Sequence, residues 1–248
     1  MLIVPEPILL TATRVLTFNR EIPLTNASGF FFERDDRLFL VTSRHVLFDE
    51  ASKHHPDRVQ IDLHVDSTNI AESIGFSIPL YQDGKSVWRQ GRDVAGDVDV
   101  AVIQIARAAL PAQVAYRAFT PRHLVDSTSV EIGTSLLVVG FPLGFHDTLH
   151  HMPVVRQAIV ASSFAFRFQG QGYFLTDART HSGTSGAPVV MRAPSEDSEL
   201  GGLPWRLLGV HSARLDIAGR NSASDEALGL NCAWYADILL TLTESKDD

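Results

Sequence analysis

Thr180-His181-Ser182-Gly183-Thr184-Ser185-Gly186-Ala187-Pro188-Val189-Val190 sets a serine between two glycines and runs straight into a short apolar strand. Small residues crowd a place where the backbone must turn sharply, and such a turn leaves backbone N–H groups directed outward. Two outward N–H groups can hold a developing oxyanion while the neighbouring hydroxyl attacks a carbonyl. The same cluster is also what a plain turn looks like. Its chemistry therefore depends on a base and an orienting acid elsewhere in the chain.

Val41-Thr42-Ser43-Arg44-His45-Val46 places a histidine just after an apolar strand. Gly96-Asp97-Val98-Asp99-Val100-Ala101-Val102-Ile103 places two carboxylates ahead of a buried one. Each is an ordinary structural or turn residue when taken alone. His45, then Asp99, then Ser185 nevertheless follow one of the known chain orders of a serine triad. Asp97 is the rival carboxylate, because residues two apart in a strand share a side.

Around these positions the chain reads as short strands and turns. Val59, Ile61, Leu63 and Val65 alternate with Gln60, Asp62 and His64, the period of a half-buried strand. Further strands are expected at 12–18, 28–32, 38–42 and 98–105. Asp83-Gly84 between 78–81 and 86–88 marks a hairpin turn. Residues 107–128, with Pro111 and Pro121, read as a linker. Strand patterns resume at 135–139, 154–161, 164–168, 173–176, 188–191, 207–211 and 230–234. Residues 193–204 and 216–226 read as exposed loops, and 235–243 has helical spacing. Many short strands between turn signals predict an all-β protein, and two blocks joined by one linker suggest two barrels. The division is 8–106 with His45 and Asp99, a linker at 107–128, and 129–248 with Ser185 and a C-terminal helix.

The chain has 248 residues, 45% of them apolar, and a net charge of −8. That charge, with scattered Lys and Arg, argues against a nucleic-acid partner. There is no run of about 18 apolar residues, so no membrane span is expected. Cys232 is the only cysteine; no intrachain disulfide can form, which suits a reducing compartment, and the residue reads as a small buried hydrophobe. The first residues lack a basic region and a cleavage site, so no signal peptide is expected and the location is read as cytoplasmic. No metal or cofactor is expected. His54, His55, His146, Asp147, His150 and His151 read as solvated loop residues, and no cysteine joins them.

The ordered set of motifs resembles the trypsin-like serine peptidases of the chymotrypsin fold, in their disulfide-free bacterial form, close to the HtrA protease domain. Ser28-Gly29-Phe30 is similar to the family's Gly-Ser-Gly strand start, and Val41-Thr42-x-x-His45-Val46 to its Thr-x-x-His-Val motif. Asp99 to Ile103 resembles Asp-Ile-Ala-Val-Leu, which selects Asp99 over Asp97. Gly140-Phe141-Pro142-Leu143-Gly144 resembles the Gly-x-Pro-x-Gly turn, Ala158 to Ala161 the strand after it, and Thr176-Asp177-Ala178 with Gly183-Thr184-Ser185-Gly186 the Thr-Asp-Ala…Gly-Asn-Ser-Gly segment. The resemblance runs over about 10–240. It implies two six-stranded antiparallel β-barrels with a short C-terminal helix. It also implies Ser185 as nucleophile, His45 as base, Asp99 as orienter, and the N–H groups of Gly183 and Ser185 as oxyanion hole. The expected activity is a serine endopeptidase acting on proteins or peptides through an acyl-enzyme.

Specificity follows from a second resemblance. His211, in Leu208-Gly209-Val210-His211-Ser212-Ala213, and Thr180, five residues before the serine, match two S1 positions of the glutamyl endopeptidases. A histidine and a hydroxyl can receive a carboxylate, so an acidic residue before the scissile bond (P1) is one expectation; a small apolar pocket is the other. Arg179, Ser212 and Asn231 fall beside the same pocket. Thr184 stands where the family has Asn or Asp, so activation through a new N-terminus is not expected. HtrA relatives carry a PDZ domain after the helix; with Asp248 ending this chain, a separately encoded partner is an open expectation. The competing reading is a catalytically weak module that binds peptides or serves as a scaffold.

Overall fold

The computed structural model describes residues 5–126, 129–194, 200, 202–212 and 229–245. Its first half holds β1 (Ala12–Asn19), β2 (Ile22–Arg34), β3 (Arg37–Thr42), α1 (Arg44–Leu47), β4 (Arg58–His64), β5 (Ser73–Pro79), β6 (Tyr81–Gln82), β7 (Lys85–Ser86), β8 (Trp88–Asp93) and β9 (Gly96–Ile105). The second half holds β10 (Ser135–Gly140), β11 (Val154–Ile159), β12 (Tyr173–Thr176), β13 (Pro188–Arg192), β14 (Trp205–Ser212) and β15 (Asn231–Tyr235), and then α2 (Ile238–Leu242). The fold is all-β, two curled antiparallel sheets with two short α-helices among the described residues, of the chymotrypsin-like kind.

The first sheet has the order β5-β4-β1-β2-β3-β9-β8 and so counts seven strands where six were expected; the second has six, in the order β11-β10-β13-β14-β15-β12. The extra strand has a local cause. Val87 N–H donates to Leu80 C=O at 3.0 Å, and the β6–β7 hairpin loops out between them. β5 and β8 are thus the two parts of one interrupted strand, and the pinch at 80–87 brings opposite edges of the sheet together. The hairpin turns at Asp83 (φ 51) and Gly84 (φ 74), the two left-handed residues of a tight turn that Asp-Gly favours.

Alternation along the strands builds three apolar clusters. Phe31, Leu38, Leu40, Val59, Ile61 and Ile103 fill the first barrel. Leu136, Val138, Phe174, Val189, Leu208 and Ala233 fill the second. Phe30, Phe32, Phe39, Val41, Val100 and Val102 point the other way and pack between the barrels with residues such as Phe141, Val190, Val210 and Trp234. This is why residues 30–32 of β2, 38–41 of β3 and 100–103 of β9 are unbroken apolar runs: one face lines a barrel and the other an interface. At about 1.5–3 kcal/mol for each large side chain buried, the interface is a major source of stability.

Two expectations change. Residues 164–168 form no strand. Phe164 stacks on Phe174 and Tyr235 at 4.8 and 5.0 Å between ring centroids, and Tyr235 Oη–H donates to Phe164 C=O at 2.7 Å. The segment is thus fixed by its aromatic ring rather than by a ladder. The C-terminal helix is only Ile238–Leu242. The loop expected at 216–226 lies outside the described residues, as do residues 195–199 and 201 of that expected at 193–204. Among the described residues no helix is long and apolar enough to cross a membrane.

Candidate active site

Strand register delivers the base to its acid. Thr42 pairs with Ala101 across β3 and β9, so Asp99, two residues before Ala101, overhangs the end of β3 where α1 begins. Asp99 Oδ1 accepts the His45 backbone N–H at 2.9 Å, and Asp99 Oδ2 lies 2.7 Å from His45 Nδ1. Ser212 Oγ–H donates to the same Oδ2 at 2.9 Å. An ionised carboxylate can only accept, so Nδ1 carries a proton, and in the neutral ring that tautomer leaves Nε2 as the acceptor. Burial by itself disfavours the charged carboxylate, but the His45 charge and the hydrogen bonds from His45 and Ser212 outweigh it and hold Asp99 below the usual carboxylate range. Asp97, half exposed, sits 3.9 Å from Arg92 in the β8–β9 hairpin.

The loop before β13 is held on both flanks. Ser28 N–H donates to Ser185 C=O at 2.9 Å, and Gly186 N–H donates to His211 C=O at 2.8 Å. Gly186 has φ +87, and a Cβ there would meet Ser28 O at 2.2 Å, Thr42 Oγ1 at 2.3 Å and Ser43 N at 3.0 Å. Only glycine lets the chain pass this close to the end of β3, and that passage sets Ser185 beside the segment leading to His45. Ser43 Oγ–H, donating to His211 C=O at 3.3 Å, ties the same three pieces together.

Within the loop, N–H groups alternate between used and free. Thr184 N–H donates to His181 C=O at 3.1 Å and Gly186 N–H is taken by His211. The N–H groups of Gly183 and Ser185 have no acceptor among the described residues. The peptide before Gly183 is also oriented, because Ser182 C=O accepts Leu143 N–H at 2.6 Å. In a planar trans peptide C=O and N–H point opposite ways, so the Gly183 N–H is turned away from the 141–144 turn. Gly183 has φ +94, and Ser28 Oγ–H donates to its C=O at 2.8 Å. The described structure thus holds two unused donors beside the Ser185 hydroxyl.

The residues expected around S1 separate into three environments. His211 is completely buried, and neither ring nitrogen has a hydrogen-bond partner among the described residues. Desolvation, with a smaller push from the His45 charge, lowers its pKa to about 3, so the ring is neutral. Thr180 Oγ–H donates to Asn231 Oδ1 at 2.8 Å, and Asn231 Nδ2–H donates to Ala178 C=O, locking the ends of β12 and β15. Arg179 is exposed and has no ion pair among the described residues. Ser212, read from sequence as a pocket residue, donates its hydroxyl to Asp99. Among the described residues no group of three or more His, Cys, Asp or Glu is placed to hold a metal.

Two contributors were not assigned from sequence. In the sequence Ser28 and Leu143 are only parts of a strand and a turn, yet both fix the oxyanion loop. A serine at an all-buried strand position was the available signal for the first; nothing in the sequence pointed to the second. The family model for a trypsin-like peptidase domain matches residues 27–193, which include His45, Asp99 and Ser185. No curated protein matches the chain.

Proposed function

The chain belongs to the trypsin-like peptidase family, and from that membership we propose a serine endopeptidase in which Ser185, His45 and Asp99 act as triad. Ser185 Oγ attacks the scissile carbonyl as His45 Nε2 takes its proton. Asp99 holds the tautomer and stabilises the imidazolium. The N–H groups of Gly183 and Ser185 receive the oxyanion, where one such donor is worth about 10²–10³ in rate. His45 then protonates the leaving amine, and water resolves the acyl-enzyme by the same relay. The observation that carries the reading is the doubled contact of His45 with Asp99, 2.9 and 2.7 Å, together with a Ser185 loop that has two N–H groups without acceptors among the described residues.

An acidic P1 residue is the specificity we favour. A neutral imidazole with neither nitrogen paired among the described residues is costly to bury, about 1–3 kcal/mol per unmet group; a substrate carboxylate reaching the ring would accept from its one N–H. Thr180 would join only by rotating its hydroxyl away from Asn231. Fluorophosphonate labelling tests the mechanism: wild type should label and Ser185→Ala should not, and equal labelling would sink it. If neither labels, the peptide-binding reading takes over. Peptides with Glu, Ala, Val or Arg at P1 test the pocket, and lack of preference for Glu would remove the acidic assignment.

A further inference from the structure

The turn that orients the oxyanion peptide also displays apolar side chains to solvent. Leu143 and Phe145 are 68% and 69% exposed, and Leu149 is 65% exposed. The turn itself is rigid. Gly144 N–H donates to Phe141 C=O at 2.9 Å and Phe145 N–H to Pro142 C=O at 2.8 Å. His146 Nδ1 bonds Gly144 C=O at 2.6 Å, and its ring lies 5.8 Å from that of Phe141. Leu143 has φ 54, the left-handed region that a bulky side chain adopts only against resistance. Strained residues on rigid turns gather where a protein meets its ligands, and a group of exposed apolar side chains marks a contact surface.

Sheet order says which half of a substrate would meet it. β13 follows Ser185, with β14 and β15 on one flank and β10 on the other. His211 and Asn231 belong to the β14–β15 flank, where the proposed function puts the acyl half. The 141–145 turn follows β10 on the opposite flank and touches the oxyanion loop at Ser182 and Gly183. A chain crossing Ser185 with its acyl residues over β14 and β15 must lay its leaving half over Leu143 and Phe145.

We propose that Leu143 and Phe145 form a leaving-group subsite that selects apolar residues in the first two positions after the scissile bond. The proposal rests on the serine-peptidase reading and deepens it. It also links recognition to chemistry, because the residue that would meet the leaving side chain is the one whose N–H holds the oxyanion peptide. Occupancy should therefore raise kcat as well as lower KM.

The test uses internally quenched peptides with one acyl half and either Leu-Phe or Ser-Ser after the scissile bond, cleaved by wild type, Leu143→Gly and Phe145→Ser. Leu143→Gly keeps the turn's backbone, and both sites are exposed, so thermal melts should show folded variants. Wild type should prefer Leu-Phe roughly 10-fold in kcat/KM, the scale of partly burying one large apolar side chain. Each variant should bring that ratio toward one. An acyl ester with no residue on its leaving side, and fluorophosphonate labelling, report on the triad separately. Ester turnover without an apolar preference, or a preference that survives both variants, overturns the subsite and leaves the peptidase standing. Absence of both ester turnover and labelling overturns the peptidase reading and the subsite with it.

Discussion

Replacing Gly183 by alanine separates a structural turn from an oxyanion donor. The position has φ +94, and an added Cβ would lie 2.6 Å from Asn26 Oδ1, 2.7 Å from Phe141 O and 2.9 Å from Leu143 N. Two of those atoms are backbone, so the neighbours cannot simply swing aside. The backbone conformation alone costs about 1–2 kcal/mol for a residue with a Cβ. For a chain of this size that is a drop in Tm of about 2–8 °C. Relief comes most directly by rotating the 182–183 peptide, which breaks the Leu143 N–H to Ser182 C=O bond and removes one donor. That loss should cost about 10²–10³ in kcat, or about 2.7–4 kcal/mol of transition-state stabilisation. KM should change little, because the donor acts chiefly on the tetrahedral state. Steady-state kinetics on a good peptide, with Tm measured alongside, decides it. A folded Gly183→Ala enzyme with kcat within about threefold of wild type would refute the argument, since no donor loss of the expected size would have occurred.

Asp99→Asn should lower kcat by about 10⁴ through loss of the fixed tautomer, measurable in the same assay; a loss of less than tenfold would disqualify Asp99 as orienter. Native Asp99 has a lowered pKa, so its contribution to stability is complete above the ordinary aspartate range and should fade in acid titrations as pH falls below it. His211 has the opposite chemistry: it is a base whose folded pKa is lowered to about 3, so the unfolded chain takes the proton first. Its effect is a loss of stability as pH falls from about 6.5, amounting to about 2 kcal/mol between pH 7 and pH 5. Urea unfolding at both values should show that loss in wild type and not in His211→Val; equal pH dependence would show His211 is not buried neutral. Ser28→Ala leaves Phe141 N–H and Gly183 C=O without their buried partner, which should cost about 2–4 kcal/mol in urea unfolding; a change under 0.5 kcal/mol would mean those bonds are not formed.

The all-β class was legible because it depends on local pattern, apolar runs between turn residues, whereas the pairing of His45 with Asp99 and not Asp97 was legible only through the resemblance to Asp-Ile-Ala-Val-Leu. What could not be read was anything set by contact across the barrels. Ser212 sits in the same strand as His211, and only the docking of that strand onto β9 turns its hydroxyl to Asp99. The interrupted strand at 80–87 was visible as a hairpin, but not as the pinch that joins sheet edges, because closure is a property of the whole sheet. Residues 164–168 have strand composition, and a single buried ring at Phe164 overrode it. His211 gave the converse case, a position picked out by motif whose complete burial appeared only once the second barrel closed around it.

Ser28 is buried in β2 of the first barrel, yet its bonds run to the second. Its N–H reaches Ser185 C=O, its hydroxyl reaches Gly183 C=O at 2.8 Å, and it receives Phe141 N–H at 3.0 Å. A chain with only one barrel folded would therefore hold a serine, or a histidine and an aspartate, but no assembled centre. Such an arrangement ties assembly of the centre to the docking of the two halves. A nascent chain emerging N-terminus first would be proteolytically silent until Ser28 closes on the returning second half, and separated halves should stay inert until they re-dock.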